Sequence, residues 1–259
     1  MTINNIKGLL IDLEGVLYTG DKIIEGSINT IKKLNKNYKI KYLTNTTTIS
    51  RHSIYKKLNQ LDLHLNENDI FSPSIAVNDY LENKKINRIY LLANRNLKPD
   101  FSDFILDDQK PEAVIIGDIY KDFNWDNLNK VFELINNNHA ILIALHKNKY
   151  CKRDGKISLD LGPFVNALEY ASSVEAVIIG KPEKEFFNLA IDSLNLKKNE
   201  IAMIGDDIMS DIAGAKNNNI FAIQVKTGKY QLQDEKSQYI QPDYRINSII
   251  DLPEVINLY

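Results

Sequence analysis

The stretch from Gly8 to Asp21, GLLIDLEGVLYTGD, limits the folds open to this chain more than any other segment. It begins with a short apolar run that predicts a buried strand, and it then turns through Asp12, Leu13, Glu14 and Gly15. In an open α/β sheet, ligands bind at the carboxyl edge of the strands, which is where this turn would place the Asp12 carboxylate. An ordinary exposed turn would have the same sequence pattern, so other segments are needed to distinguish a ligand site from such a turn.

Apolar strand-like runs alternate with helical patterns along the chain, as they do in proteins with a mainly parallel sheet. In the first predicted helix, 27–35, the side chains of Ile28, Ile31 and Leu34 share one face. The sequence therefore predicts an α/β fold. The predicted strands lie at residues 9–11, 40–44, 89–93, 113–118, 141–146, 175–182, 201–207 and 221–225.

The composition excludes several classes of protein. The chain has 259 residues, 44% of them hydrophobic and 25% charged, and its formal net charge of -2 gives no electrostatic reason to expect a nucleic-acid partner. Its single cysteine, Cys151, cannot form an internal disulfide, which fits a reducing compartment. No run approaches the ~20 apolar residues that cross a bilayer, and the first residues lack the apolar core of a signal peptide. We therefore expect a cytoplasmic protein with no membrane partner.

Two predicted strand ends carry groups suited to phosphate chemistry, although each also has a structural explanation. Asp12 and Glu14 form a pair of carboxylates, of which one can act as a nucleophile while the other transfers protons. Thr44 and Asn45 follow the second predicted strand, where a hydroxyl and the next backbone N–H can bind a phosphate oxygen. A Thr-rich turn that caps the following helix would explain the second pattern equally well.

Lys181 lies at the end of another apolar run, between Gly180 and Pro182. An ammonium there can neutralise both a phosphate and a carboxylate nucleophile. At ~4 Å and an effective dielectric constant of ~20, one such pairing is worth about 4 kcal/mol before desolvation. A lysine at a loop tip is the common alternative. Pro182 followed by Glu183 indicates that a helix begins here, which favours a site at this strand end.

The segment MIGDDIMSD at 203–211 carries the most specific signal. Asp206 and Asp207 follow a predicted strand, and Asp211 comes about one helical turn later. Three carboxylates this close repel one another unless a cation lies among them, and hard oxygen ligands suit Mg²⁺. The favourable dipole at a helix N-terminus would account for one or two of these acids. The segment therefore predicts a metal site.

These four constellations, in this order, resemble the haloacid dehalogenase superfamily, and the resemblance covers nearly the full length of the chain. It implies a Rossmann-like three-layer core with a parallel sheet over residues 1–74 and 176–259, and an inserted α/β cap domain over 75–175. Five longer stretches resemble subfamily IIA, the NagD-like phosphatases: LTNTTT, HKNKYCKRDGKISLDLGPFVNALEYAS, VIIGKPEKEFF, MIGDD and VKTGKY.

The resemblance also implies the residues of a Mg²⁺ site and of the catalytic step. Asp12 would be the nucleophile and would also ligate the metal. Glu14 would supply a backbone carbonyl to the metal, and Asp206 would supply a carboxylate. Asp207 and Asp211 would hold metal-bound water or orient the catalytic lysine.

A second set of implied residues would bind the phosphoryl group of the substrate. Thr44 and Asn45 would donate hydrogen bonds to it during its transfer. Lys181 would bind the same group and neutralise its charge, and so would belong to the catalytic residues as well.

Glu14 departs from the family pattern, in which aspartate usually stands at this position and protonates the leaving group. Glutamate is one methylene longer, and misplacement by about an ångström can cost ~10²-fold in rate. Close members of the subfamily carry serine here, so the position tolerates change. The acid/base role of Glu14 is therefore open, whereas its backbone carbonyl is independent of the side chain.

The sequence predicts a Mg²⁺-dependent phosphatase that hydrolyses small phosphorylated compounds through an aspartyl-phosphate on Asp12. A weakened acid at Glu14 would favour pyrophosphate, phosphoramidates, acyl phosphates and aryl phosphates over alkyl phosphate esters. Two alternatives stay open: a catalytically weak binding or regulatory protein of the same fold, suggested by Glu14, and a phosphotransferase or mutase. Homodimerisation through the cap is known in relatives and is open for this chain, as are the physiological substrate and the pathway.

Overall fold

The computed structural model describes residues 5–153 and 155–256, and the elements below lie within these ranges. The strands are β1 (Gly8–Asp12), β2 (Tyr18–Thr19), β3 (Lys22–Ile23), β4 (Lys39–Leu43), β5 (Ile70–Phe71), β6 (Arg88–Leu92), β7 (Ile105–Leu106), β8 (Ala113–Ile116), β9 (Ile141–Ala144), β10 (Tyr150–Arg153), β11 (Lys156–Leu159), β12 (Val177–Ile178), β13 (Ile201–Gly205), β14 (Phe221–Val225) and β15 (Tyr244–Ile246).

The α-helices alternate with these strands, as the sequence pattern predicted. None of the helices in the described ranges is long and apolar enough to span a membrane. The helices are α1 (Ser27–Leu34), α2 (Arg51–Gln60), α3 (Pro73–Asn83), α4 (Trp125–Asn138), α5 (Leu161–Ser172), α6 (Lys184–Leu194), α7 (Ala213–Asn217) and α8 (Leu252–Val255).

The described chain divides into two compact units. The first contains the residues up to Thr44, the segment His52–Phe71 and the residues from Lys181 onward. The second contains Asn45–Arg51 and Ser72–Gly180. The predicted boundaries, after residues 74 and 175, lie a few residues from these limits and assign 45–51 to the other domain. The assignment of a catalytic core and a cap stays a prediction.

The first unit is built on a parallel sheet whose strand order, over the described residues, is β15-β14-β13-β1-β4-β5. From β1 the chain proceeds outward through β4 and β5, and it later fills the other side through β13, β14 and β15. The order therefore reverses between β1 and β13, the kind of position at which open α/β sheets bind ligands. Every residue of β1 and of β13 is buried, as expected for central strands covered on both faces.

The second unit contains a parallel sheet with the order β12-β9-β8-β6-β7 in the part of the chain that is described. Asn124 precedes helix α4, and its side chain caps the helix by accepting a hydrogen bond from the Asn127 N–H at 2.9 Å. Strand β10, Tyr150–Arg153, pairs with β11 in an antiparallel hairpin of this unit. The buried core of this unit consists of Leu92, Val114, Ile116, Val131, Leu134, Ile135, Ala140, Leu142, Ala144, Leu161, Val165, Leu168 and Ala176.

Two predicted elements differ from the observed ones. The strand expected over 175–182 shortens to β12, Val177–Ile178, which lies at an edge of its sheet and pairs only with β9 among the described strands. The helical turn expected between Asp207 and Asp211 is a π-helical turn at Ile208–Ile212, which leads into α7. It begins there because the Asp207 side chain accepts hydrogen bonds from two N–H groups of that turn.

Helices α6 and α7 of the first unit pack closely at a glycine. A β-carbon added at Gly214 would lie 2.2 Å from Cε2 of Phe187, whose side chain is fully buried. The Phe187 ring is also fixed by its edge-on contact with Phe186, at a centroid distance of 6.2 Å. Alanine at position 214 would therefore force two packed helices apart.

We predict that Gly214→Ala destabilises the protein by about 1–3 kcal/mol, the usual cost of overpacking, although alanine gains up to ~1 kcal/mol over glycine in a helix. In the double variant Gly214→Ala/Phe187→Leu, the smaller side chain should relieve part of this cost. Urea denaturation followed by circular dichroism measures both effects. Losses that simply add in the double variant would contradict the close contact between these two positions.

Candidate active site

Four of the predicted site residues meet at the carboxyl ends of β1 and β13. Lys181 Nζ lies 2.5 Å from Asp12 Oδ1 and 2.7 Å from Asp211 Oδ1, and all three side chains are buried. Asp206 follows β13, and its carboxylate joins those of Asp12 and Asp211 in a group whose oxygens lie within 4.8 Å of one another. We call Asp12, Lys181, Asp206 and Asp211 the carboxylate centre.

The carboxylate centre carries more negative than positive charge in a buried place. Burial raises the pKa of Asp12 and of Asp206 above the usual range, and it raises the pKa of Asp211 to about 6. Burial alone would lower the pKa of Lys181, but the Asp12 and Asp211 carboxylates beside it outweigh that effect and raise it. The three carboxylates and one lysine leave a formal excess of two negative charges in this buried place. Such a centre suits a cation.

Two glycines allow the backbone to approach Asp206. Gly15 has a φ of +94° and Gly228 a φ of +61°, the left-handed region that glycine adopts without strain. A β-carbon at either position would lie 2.0 Å from Asp206 Oδ2. The turn after β1 and the loop after β14 therefore both close on this carboxylate, and any side chain would displace it.

The loop after β14 contains two site residues, Thr227 and Lys229, that the analysis of single motifs missed. The Thr227 hydroxyl donates a hydrogen bond to the backbone carbonyl of Gly15. The Lys229 N–H donates to Asp206 Oδ2 at 2.6 Å, and its ammonium lies 3.0 Å from Asp207 Oδ2. The stretch VKTGKY, at the end of the predicted strand 221–225, carries the sequence signal for this loop.

Asp207 orients the acidic segment. Its Oδ1 accepts hydrogen bonds from the N–H groups of Met209 and Ser210, at 2.9 and 3.1 Å, and its own N–H donates to Asp211 Oδ2 at 3.2 Å. Burial tends to raise the pKa of Asp207, but the Ser210 N–H and the Lys229 ammonium outweigh it and lower the pKa. Asp207 therefore stays ionised and holds Asp211 in place.

The side chain of Glu14 is not part of the carboxylate group formed by Asp12, Asp206 and Asp211. It is exposed, and its Oε1 accepts a hydrogen bond from the Gly20 N–H at 3.3 Å. Gly20 lies between β2 and β3, which form a small antiparallel hairpin. The turn after Asp12 thus directs this carboxylate to the hairpin.

Thr44 follows β4, the strand next to β1. Its preceding residue, Leu43, pairs with Asp12 in the sheet and accepts a hydrogen bond from the Leu13 N–H at 3.1 Å. Thr44 is buried, and its N–H donates to the Phe71 carbonyl at 3.1 Å. The division between the two units falls after Thr44, so Asn45 is the first residue of a segment of the second unit.

The second unit has a polar cleft of about 350 Å³ of its own. Within it, His146 is buried, its Nδ1 accepts a hydrogen bond from the Asn148 N–H at 3.4 Å, and its Nε2 lies 3.8 Å from Asp160 Oδ1. Burial lowers the pKa of His146, which favours the neutral imidazole. The cleft is lined by Asn45, Thr46, Thr47, Thr48, Asp118, His146, Asn148, Cys151, Lys152, Arg153 and Asp160.

Two family models match the chain: a haloacid dehalogenase-like hydrolase model over residues 9–104, and a HAD-hydrolase-like model over residues 178–252. The phospholysine phosphohistidine inorganic pyrophosphate phosphatase of Danio rerio is 33% identical over 253 residues, which cover 95% of this chain and 93% of that protein. The human haloacid dehalogenase-like hydrolase domain-containing protein 2 is 38% identical over 232 residues, which cover 89% and 88% of the two chains.

A solved structure shares the whole fold. The 4-nitrophenylphosphatase of Thermotoga maritima matches with a TM-score of 0.85 and 23% identity, over 98% of each chain. The chain belongs to the haloacid dehalogenase-like hydrolases. The predicted resemblance to subfamily IIA, the Rossmann-like α/β fold and the class of hydrolase are thereby confirmed.

We predict that Asp211→Asn flattens the pH dependence of the stability of the metal-free protein. Between about pH 4 and pH 6 the folded protein holds a proton on Asp211 that the unfolded chain, with a pKa near ~3.9, has released. The stability contributed by this group is therefore lost as the pH rises through that window. Relative to Asp211→Asn, the parent should lose about 2–3 kcal/mol between pH 4 and pH 7.

Urea denaturation in chelator at stepped pH measures this difference. Asp207→Asn is a matched control with the opposite sign, because the pKa of Asp207 is lowered and asparagine also caps helices well. The stability of Asp207→Asn relative to the parent should fall as the pH rises from about 3 to about 5 and should change little above that range. Parallel profiles for Asp211→Asn and the parent would show that Asp211 titrates normally.

Proposed function

We propose that this protein is a Mg²⁺-dependent phosphatase that hydrolyses small phosphorylated compounds through an aspartyl-phosphate on Asp12. The observation that carries the proposal is the position of Lys181 Nζ, 2.5 Å from Asp12 Oδ1 and 2.7 Å from Asp211 Oδ1, in a buried group with Asp206. A structural ion pair needs one carboxylate for one lysine. Here three carboxylates surround one lysine, which leaves an excess of two negative charges for a divalent cation.

The donor set fits Mg²⁺, which prefers hard oxygen ligands. Asp12 and Asp206 would hold it through their carboxylates and Glu14 through its backbone carbonyl, with Asp207 and Asp211 supporting the site. When bound, Mg²⁺ supplies positive charge that stabilises the transferring phosphoryl group. The close approach of Gly15 and Gly228 to Asp206 supports this role, because it fixes the orientation of that carboxylate.

In the proposed reaction, a carboxylate oxygen of Asp12 attacks the phosphorus in line with the leaving group. A P–O bond to Asp12 forms as the bond from phosphorus to the leaving group breaks. Lys181 favours the ionised form of Asp12 and, with Thr44 and Asn45, binds the phosphoryl oxygens. Water then attacks the phosphorus of the aspartyl-phosphate, which releases inorganic phosphate and restores the carboxylate.

The contact between Glu14 and Gly20 supports a preference among leaving groups. A carboxylate that accepts a hydrogen bond from the β2–β3 hairpin is poorly placed to protonate a leaving group beside Asp12. Substrates whose leaving groups need little protonation, such as pyrophosphate, phosphoramidates, acyl phosphates and aryl phosphates, would therefore react fastest. The Danio rerio relative is named for phospholysine, phosphohistidine and pyrophosphate, and this supports the same choice.

The first test is the hydrolysis of p-nitrophenyl phosphate and of pyrophosphate with and without Mg²⁺. We expect turnover only with the metal, and a loss on the order of 10³-fold or more in Asp12→Asn, because amide oxygen is a poor nucleophile. Asp21→Asn, an exposed acid of the same unit, is the control. A folded, metal-loaded protein that turns over neither substrate would instead support the binding-protein alternative, which the named phosphatase relatives do not favour.

The second test concerns Glu14. Shortening it to aspartate restores the residue that the family usually has here, and we expect kcat/KM for an alkyl phosphate such as glycerol phosphate to rise about tenfold or more relative to p-nitrophenyl phosphate. Glu25→Asp, at an exposed position of the same unit, should leave this ratio unchanged. No gain on the alkyl ester in Glu14→Asp would remove the proposed basis for the leaving-group preference.

A further inference from the structure

A second lysine stands at the edge of the carboxylate centre. Asp207 extends the centre through the hydrogen bond from its N–H to Asp211 Oδ2, and the Lys229 ammonium lies 3.0 Å from Asp207 Oδ2. Counting Asp207 and Lys229 with the centre gives four carboxylates and two ammonium groups. Their formal charges leave an excess of two negative charges, which one divalent cation cancels.

The two lysines have different surroundings. Lys181 is buried and contacts both Asp12 and Asp211, so its ammonium is held directly beside Asp12. The side chain of Lys229 is 72% exposed, and its ammonium has three donor hydrogens on a flexible stem. It can therefore contact a bound anion while the charge of Asp207 stays nearby.

The backbone ties Lys229 to the centre although its ammonium is exposed. Its N–H donates to Asp206 Oδ2 at 2.6 Å, and Gly228 before it leaves no room for a β-carbon next to that oxygen. The Lys229 ammonium therefore carries its positive charge beside Asp207, at the edge of the centre.

We propose that Lys229 is a specificity-determining residue that selects substrates with a second anionic group next to the phosphoryl group being transferred. Inorganic pyrophosphate is the simplest member of this class. The proposal rests on the phosphatase function proposed above. Lys181 serves the transferring group, and Lys229 supplies the positive charge that binds the extra negative charge of the leaving group.

Lys229 could select anionic substrates, or it could only support Asp207. These two roles predict different changes in metal affinity when the ammonium is removed. Removal of the ammonium leaves an excess of three negative charges, so a divalent cation should bind at least as tightly while an anionic substrate binds more weakly. If Lys229 only held Asp207 in place, its removal would disorder the acidic segment and weaken the binding of both the metal and the substrate. Metal affinity therefore separates the two roles.

The experiment compares Lys229→Met, which keeps an unbranched side chain but removes its charge, with Lys229→Arg, which keeps the charge. In Lys229→Met, we expect kcat/KM for pyrophosphate to fall about three- to tenfold relative to p-nitrophenyl phosphate, mainly through KM, and the difference to shrink in 0.5 M salt. Direct Mn²⁺ binding, measured by electron paramagnetic resonance, should not weaken. Lys229→Arg should keep the parent ratio. Lys226→Met, whose ion pair with Glu235 lies outside the centre, is the matched control.

Two results would overturn the assignment: an unchanged substrate ratio in Lys229→Met, or equal losses on both substrates with weaker Mn²⁺ binding. If the parent protein turns over neither substrate, the phosphatase function itself fails. In that case, calorimetric binding of pyrophosphate and of inorganic phosphate to the parent and to Lys229→Met decides the role of Lys229. Equal affinities of the parent and of Lys229→Met for pyrophosphate would then exclude the proposed role of Lys229.

Discussion

The contact of one buried ammonium with two carboxylates is the interaction on which the structure of this site depends. Lys181 Nζ lies between Asp12, at the end of β1, and Asp211, in the turn after β13, and so links the two central strands of the first unit. Burying each of these ions costs several kcal/mol, and their attraction returns that energy only when the geometry is good. The centre is therefore an arrangement that a gain in stability alone does not explain.

The backbone packs closely around the carboxylate centre. Gly15 and Gly228 approach Asp206 from two loops, and the hydroxyl of Thr227 fixes the carbonyl of Gly15. Asp207 holds Asp211 from the other side through its N–H. Backbone groups and small residues thus set the carboxylate positions, so the chemistry depends on the exact packing of three loops that follow β1, β13 and β14.

The strands and the acidic residues of the centre were predictable because their signals are local. The buried run of β1 ends at Asp12, and the spacing of Asp206 and Asp211 places both near one strand end. Three features could not be predicted, because they depend on tertiary contacts: the approach of the Thr227–Lys229 loop, the hydrogen bond from Gly20 that turns Glu14 to the β2–β3 hairpin, and the pairing of the short strand β15 with β14.

The strand order of the first unit has a consequence for biosynthesis. Strand β1 is made first, but its neighbour β13 lies nearly two hundred residues later, where Gly8 pairs with Ile201. On the ribosome, where domains generally fold as they emerge, the second unit is fully synthesised before β1 can obtain this partner. Asp12 therefore lacks its lysine partner until translation has passed residue 181, so an incomplete nascent chain carries no assembled centre.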